Sequence, residues 1–383
     1  MDIALATPLL GGLTPQAFMR RYWQKKPLLV RGAYRGGTPS IARAEVFELA
    51  ARDDVQSRLV VHAAKGWTLA RGPFSRRALP PLKQPRWTLL VQGVDTQLDA
   101  AHRLLSNFRF VPDARLDDLM LSYASDGGGV GPHVDSYDVF LLQLHGQRRW
   151  RVGRCRDPRF RPGLPLKILE RFEPQHDWLL EPGDMLYLPP GWGHDGVAVG
   201  ECMTASVGFR AAGREEVAHQ VLQRLLDAAE LDSAAAPLYR DPGQPAVAEP
   251  GRIPAALQAY AADAVARAVA DRAGLACGLG EWLSEPAGGV SFEQVDVEIE
   301  LSALDAVRLD RRTRMLYDER FVFINGESFR AGGRDAALMR RLADRRSLHA
   351  NELARLSADA RELLGDWLQA GWLHPLSLDG DFE

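Results

Sequence analysis

Short apolar runs punctuated by glycine and proline fill residues 116–209, and helical periodicity takes over beyond them. Leu119–Ala124, Val139–Leu144, Arg148–Val152, Asp184–Leu188 and Met203–Phe209 each read as a strand. His145-Gly146-Gln147 and Pro189-Pro190-Gly191 supply turns between them. Many short strands joined in this way predict a barrel or a sandwich.

The flanks read differently. Thr14-Pro15 has the form of an N-cap followed by proline at the first helical position, and the helix it opens carries Phe18, Tyr22 and Trp23 and stops before Pro27. Leu28–Val30 and Trp87–Gln92 are further strands in a stretch of mixed character. Past Gly213, the residues Val217, Val221, Leu222, Leu225 and Leu226 recur at helical spacing. A proline-rich break at 241–250 is followed by an alanine-rich helix from Ile253 to about Ala273, which suits either a subunit interface or a plain packing layer. From about Gly289 a separate α+β unit is expected. It has a Phe321–Phe329 hairpin turning at Asn325-Gly326 and helices over Ala336–Leu342, Ala350–Leu356 and Ala358–Ala370. That order suggests a winged helix. Its last helix sets Asp359, Glu362 and Asp366 against Arg361, which suits protein contact and argues against direct nucleic-acid binding. The expected fold class is α+β in three segments: a barrel with N-terminal helices over 1–212, a helical region over 213–285 and a winged-helix-like domain over 286–383.

Composition changes this picture little. The chain has 383 residues, 47 Lys+Arg against 50 Asp+Glu and a net charge of −3, so no basic domain stands out in the totals. Cys155, Cys202 and Cys277 are isolated, which excludes a zinc spacing or a disulfide framework and points to a reducing compartment. The N-terminus lacks the basic start of a signal peptide, and no apolar stretch reaches the length needed to span a bilayer. A cytoplasmic protein is expected.

The candidate chemistry lies in the strand-rich part. His133 and Asp135 are two residues apart, so on a strand both point the same way. His194 follows 61 residues after His133, behind another strand and the Pro189-Pro190-Gly191 turn. Two imidazoles and one carboxylate can hold iron(II) on one face and leave other positions open. The glycines Gly127-Gly128-Gly129 ahead of the motif allow close backbone approach. His145 sits in a turn, His62 and His102 precede the strand-rich region, and His176, His219, His349 and His374 have no partner at ligand spacing, so each is read as structural or solvent-exposed.

With these motifs in view, the segment resembles the Jumonji C (cupin-fold) family of iron(II)- and 2-oxoglutarate-dependent oxygenases. Trp23–Leu29 (WQKKPLL), Gly129–Phe140 (GVGPHVDSYDVF), Arg148–Val152 (RRWRV) and Ser206–Arg210 (SVGFR) are similar to the bacterial ribosomal oxygenases. The resemblance implies a double-stranded β-helix barrel, a helical dimerisation region and a winged-helix domain. It also implies dioxygen as cosubstrate and hydroxylation, at Cβ, of an arginine in the sixteenth protein of the large ribosomal subunit, with a homodimer as the working form.

2-Oxoglutarate needs a cation for its distal carboxylate, and the arginine fork suits it. Arg148, Arg149 and Arg151 are candidates. Arg148 shares a strand face with the apolar Trp150 and Val152 and so points inward, where it needs an anion; the resemblance implies the same residue. The alternative partner is an internal carboxylate. On the strand ahead of the motif, Asp118, Met120 and Ser122 share one face and Leu119, Leu121 and Tyr123 the other. If the first face is the pocket, Ser122 supports the cosubstrate, Asp118 and Met120 receive a cationic side chain, and Tyr137 closes over it. The alternative for Asp118 is an exposed carboxylate at a strand end. Thr204 and Ser206 are rival supports for the cosubstrate. A demethylase of methylated lysine or arginine would use the same metal triad, and a non-enzymatic cupin or winged-helix regulator would need neither metal nor 2-oxoglutarate.

Overall fold

The structure, a computed structural model, describes residues 2–34, 39–64, 66–231, 238–295, 301 and 304–376. The chain divides into two compact units, Met1–Ala211 with Ala287–Ser291 and Ala212–Pro286 with Phe292–Glu383.

The first unit opens with helix α1 (Pro15–Arg21), capped by the Thr14 hydroxyl, which accepts a hydrogen bond from the Ala17 amide. Strand β1 (Leu28–Val30), α2 (Arg43–Ala50), β2 (Ser57–Ala63), β3 (Gly66–Arg71), β4 (Trp87–Val91) and α3 (Asp99–Ser106) follow. Then come β5 (Leu116–Ala124), the two-residue β6 (His133–Val134), β7 (Val139–Arg154), β8 (His176–Leu180), β9 (Met185–Leu188) and β10 (Trp192–Phe209). They form one antiparallel sheet in the order β1-β9-β7-β10-β5-β4-β2-β3, with β6 on β10 and β8 on β7. This is the cupin-type architecture that the resemblance implies, where the strand-rich pattern alone predicted a barrel or a sandwich.

One of the expected turns is not a chain reversal, and one expected strand is not separate. His145-Gly146-Gln147 lies inside β7, which runs on to Arg154; Gly146 adopts φ +62°, and a Cβ there would lie 2.1 Å from the Glu201 carbonyl. The strand expected from Met203 is the second half of β10, whose register with β7 shifts between Val199 and Met203. Both long strands therefore bend and twist while serving both halves of the sheet.

Alternation divides the two faces. Phe140, Leu142, Leu119, Leu121, Tyr123, Ala205 and Val207 join the larger core with Phe18, Phe108, Tyr187 and Phe209. Val139, Leu141, Trp150, Val152, Leu180, Leu186 and Leu188 line the other face. The fully buried Asp138 ties the N-terminal segment to the barrel. It accepts from the Tyr187 hydroxyl (2.6 Å) and from Gln24 Nε2 (3.0 Å), with Arg115 3.7 Å away.

The second unit contains α4 (Arg214–Leu231), α5 (Ala255–Ala270) and α6 (Arg272–Ser284). The alanine-rich stretch is thus two helices, parted at Asp271, whose side chain caps α6. Gly278 lets α6 lie against Val221 and Arg224 of α4. Helix α5 buries none of its residues. Beyond come β11 (Ala306–Leu309), β12 (Met315–Tyr317), β13 (Phe321–Ile324), β14 (Glu327–Arg330), α7 (Gly333–Arg345), β15 (Ser347–His349), α8 (Ala350–Leu353), α9 (Ala358–Gln369) and β16 (Leu373–Leu376). Sheets β15-β11-β16 and β12-β13-β14 surround a core of Leu338, Leu342, Leu364, Trp367 and Leu373. The β13–β14 hairpin turns at Asn325 and Gly326, both at positive φ. No helix among the described residues is long and apolar enough to cross a membrane.

Candidate metal centre and anion pocket

Strands β6 and β10 place His133 and His194 directly opposite each other. Their rings lie 4.1 Å apart, centroid to centroid. Asp135 follows β6, and its Oδ2 is 3.9 Å from His133 Nε2 and 3.5 Å from His194 Nε2. One potential ligand atom from each residue falls within 4.8 Å of the others. Each Nδ1 meets a backbone carbonyl two residues back: Gly131 at 2.9 Å for His133 and Trp192 at 3.1 Å for His194. A carbonyl only accepts, so both Nδ1 atoms carry the proton and both Nε2 lone pairs point toward the shared space. Burial, and then the neighbouring His133, push the His194 pKa down to about 4, so this ring is neutral at ordinary pH. Neutral nitrogen donors and one carboxylate are the donor set that a divalent ion of the iron type requires.

Glycines make room for the pair. Gly196, on the face of His194, accommodates the Trp150 ring, which a Cβ would approach to 2.6 Å. Gly129 lies so close to the Gly196 carbonyl that a Cβ would sit 2.5 Å from it. The expected role of the Gly127–Gly129 run is therefore close backbone packing behind the site. Across the outside of the same strands runs the segment 155–175. The Leu169 amide donates to the Pro132 carbonyl (2.8 Å), and the space next to Gly193 is filled by Leu169 and Phe172. Ile168 and Trp67 converge on Gly131.

Arg148 points into the inner face and is 5% exposed. Its Nη1 donates to Ser122 Oγ at 3.3 Å, while Nε and Nη2 are buried without a hydrogen-bond partner. Among the described residues it is ion-paired to no carboxylate, whereas Arg149 pairs with Asp177 and Arg151 with Asp195 on the outer face. The guanidinium lies 5.6 Å from the Trp150 ring, which is itself 5.8 Å from the His194 ring. Trp150 Nε1 is likewise buried without an acceptor. Unspent donors of this kind need an anion with several oxygens.

The three hydroxyls separate. Ser122 donates to the Thr204 carbonyl (3.3 Å) while accepting from Arg148. Thr204 is fully buried and donates to Gln143 Oε1 (2.9 Å), so it braces the strand beside Ser122. Ser206 is the cross-strand neighbour of Met120, one step further along the same face.

Asp118, Met120 and Ser122 do face away from the main core that holds Leu119, Leu121 and Tyr123. Asp118 Oδ2 accepts from the Gly93 amide (2.9 Å). Tyr137 is 40% exposed. Burial, then Asp135 and then Asp118 hold its pKa above the ordinary phenol range, which puts Tyr137 in the field of both carboxylates. Sequence reasoning missed Arg58. It lies on β2, across Leu90 from Ser122 in the strand pairing, and its Nη2 is 3.8 Å from Met120 Sδ. Alternation along β2 was the available signal.

Comparisons with known proteins agree with this geometry. Residues 103–217 match the JmjC domain family, and residues 268–374 match the ROXA-like winged helix. The chain is 40% identical over 241 residues to the ribosomal protein uL16 3-hydroxylase of Escherichia coli, covering 62% of each protein. It is 38% identical over 202 residues to a probable ribosomal oxygenase of Haemophilus influenzae, covering 52% of this chain and 50% of that one. The matched part thus spans between half and two thirds of these curated relatives. The crystal structure of ycfD from E. coli superposes with a TM-score of 0.82 at 29% identity, covering 94% of this chain and 98% of that one. A structure of YcfD, a ribosomal oxygenase from E. coli, in complex with cobalt and 2-oxoglutarate gives a TM-score of 0.80 at 29% identity, covering 94% and 98%.

Proposed function

The chain belongs to the JmjC family of ribosomal oxygenases, and from that premise we propose that it is an iron(II)- and 2-oxoglutarate-dependent arginine hydroxylase of a large-subunit ribosomal protein. The single observation that carries the reading is the buried Arg148, which pairs with no carboxylate among the described residues and keeps two unspent nitrogens on the face of the His133–Asp135–His194 cluster. Bound iron(II), with dioxygen and 2-oxoglutarate, supplies insertion of one oxygen atom into a C–H bond, the cosubstrate leaving as succinate and carbon dioxide. His133, Asp135 and His194 hold the metal through two Nε2 atoms and one carboxylate oxygen. Arg148 binds the distal carboxylate of 2-oxoglutarate through its two unspent nitrogens, and Ser122 fixes the guanidinium. Thr204 braces Ser122, and Ser206 borders the same space.

Asp118, Met120 and Tyr137 receive the substrate arginine. The carboxylate attracts the guanidinium, the thioether packs along the methylenes and the phenol, held protonated, closes over them without adding charge. The name of the 40%-identical relative, a ribosomal protein uL16 3-hydroxylase, supports uL16 as the target; the arginine and its Cβ are what the family resemblance implies. We assign the protein to the cytoplasm and its working form to a homodimer. The support for the dimer is α5, which buries nothing yet displays Leu257, Tyr260, Val265 and Val269, so a second copy is its proposed cover. The division into segments 1–212, 213–285 and 286–383 then separates catalysis, assembly and partner contact.

The test is incubation with iron(II), 2-oxoglutarate and isolated ribosomal proteins, read by mass spectrometry. A gain of one oxygen on one arginine, absent without 2-oxoglutarate, is expected. Loss of a methyl group, or no change in any ribosomal protein, refutes the assignment.

A further inference from the structure

The whole-chain charge is slightly negative, but it conceals a local excess. Between Arg154 and Arg171 the chain carries six cations, Arg154, Arg156, Arg159, Arg161, Lys167 and Arg171, against Asp157 and Glu170. All six are exposed. Among the described residues, the only ion pair they form is Arg159 with Asp157, at 3.2 Å and largely in solvent. The segment is nonetheless held in place. The Arg161 amide donates to the Ile168 carbonyl and the Glu170 amide to the Arg159 carbonyl, while Ile168 and Leu169 are buried against the strands that carry the two metal-site histidines. The positive charge is thus presented from a fixed hairpin.

Beside it stands an aromatic stack. His176 lies face to face with Trp178, 4.5 Å between centroids and 11° between planes, and near-parallel to Trp192 at 6.4 Å and 23°. His176 is exposed and both indoles are partly exposed. In the strand register His176 faces Val152, which faces His194, and Trp192 faces Arg154. The stack therefore shares a face with the metal-site histidine and borders the cationic hairpin.

Flat, partly exposed rings beside an exposed cationic segment form the arrangement that single-stranded nucleic acids use: bases stack on the rings and phosphates meet the cations. A basic peptide could use the rings, but six cations against two carboxylates would repel it. We propose that the 154–171 hairpin and the His176–Trp178–Trp192 stack bind single-stranded RNA next to the mouth of the active site. The acidic last helix of the C-terminal domain says nothing against this, because the surface lies in the other unit. A substrate protein that is itself carried on RNA would be presented by such a surface, but the proposal does not require the hydroxylase reading.

The test is binding of a fluorescein-labelled uridine oligonucleotide of about 20 nucleotides to the full chain. It is followed by anisotropy and by tryptophan quenching, without metal or 2-oxoglutarate. Binding should weaken steeply between about 50 and 200 mM salt. The combined variant R156A/R161A/K167A/R171A should bind at least about 10-fold more weakly, with the log–log salt slope reduced by about 0.7 for each phosphate that is no longer neutralised. His176→Ala should cut affinity about 5- to 100-fold and leave the salt slope unchanged. All of the substituted residues are exposed, so unchanged thermal melting is the control for folding. No binding at low salt overturns the proposal, as does binding that survives the fourfold variant. Quenching by an arginine-rich peptide but not by RNA also overturns it and makes the stack a peptide platform.

Discussion

Replacing Arg148 by methionine should make the metal-free protein more stable and its cosubstrate binding much weaker. Two guanidinium nitrogens are buried without partners, and each such group costs about 1–3 kcal/mol. Methionine removes that cost while keeping most of the apolar stem. Giving up the Trp150 ring and some packing takes back about 1–2 kcal/mol. Ser122 keeps its hydrogen bond to the Thr204 carbonyl, so the deletion strands nothing new. The net gain is about 0–5 kcal/mol, centred on about 2.5 kcal/mol, which corresponds to a rise of about 5–10 °C in melting temperature for a unit of this size. Two charge-assisted hydrogen bonds to a carboxylate, at about 1.5–3 kcal/mol each, disappear from the complex. 2-Oxoglutarate affinity should therefore fall about 10²- to 10⁴-fold.

Calorimetry with the manganese- or cobalt-loaded protein measures that affinity, and a thermal melt of the metal-free protein measures the stability. 2-Oxobutyrate, which has the keto acid but no distal carboxylate, is the control and should bind both proteins alike. A structural arginine would behave in the opposite way: its loss would lower the melting temperature and leave the difference between the two ligands intact. That result would refute the assignment of Arg148 as the carboxylate anchor.

Three further outcomes are expected. Asp135→Ala should abolish 2-oxoglutarate turnover with little change in melting temperature, since the carboxylate is partly exposed and supports no core packing; normal turnover would sink the triad. Gly131→Ala places a Cβ 2.9 Å from Ile168 on a residue at φ +79°, so it should displace the carbonyl that orients His133. Cobalt titration followed by its visible absorption should show about 10- to 100-fold weaker binding. The neutral His194 sets a pH dependence for the metal-free protein. Its folded pKa of about 4 lies below the ordinary 6.5, so between these values the unfolded chain binds more protons. Stability should be full above about pH 6.5 and fall as the pH drops toward 4, as measured by urea unfolding, and His194→Gln should flatten the curve.

What could be read from the chain follows the range of the interactions involved. A period of two along β5 and β7 assigned Ser122 and Arg148 to one side and Tyr123, Arg149 and Arg151 to the other, because neighbouring side chains on a strand have no other choice. The pairing of His133 with His194 was harder, since 61 residues separate them; the His-x-Asp spacing and the turn before His194 gave the chemistry, not the register. His145-Gly146-Gln147 looked like a turn because a glycine that bends a strand and one that reverses it share the same local signature. Only the partner strand, where the Glu201 carbonyl occupies the space of a side chain, distinguishes the two. Asp138 shows the same limit from the other side. It stands three residues after Asp135 in the same motif, yet it is consumed by Tyr187 and Gln24. Its role as a clamp between the N-terminal segment and the barrel depends on residues more than 40 positions away in both directions. Local periodicity therefore identifies which groups can face a site, and long-range contacts decide which of them remain unspent when the chain has folded. In Arg148 the two criteria coincide, which is why that residue bears most of the weight of the functional reading.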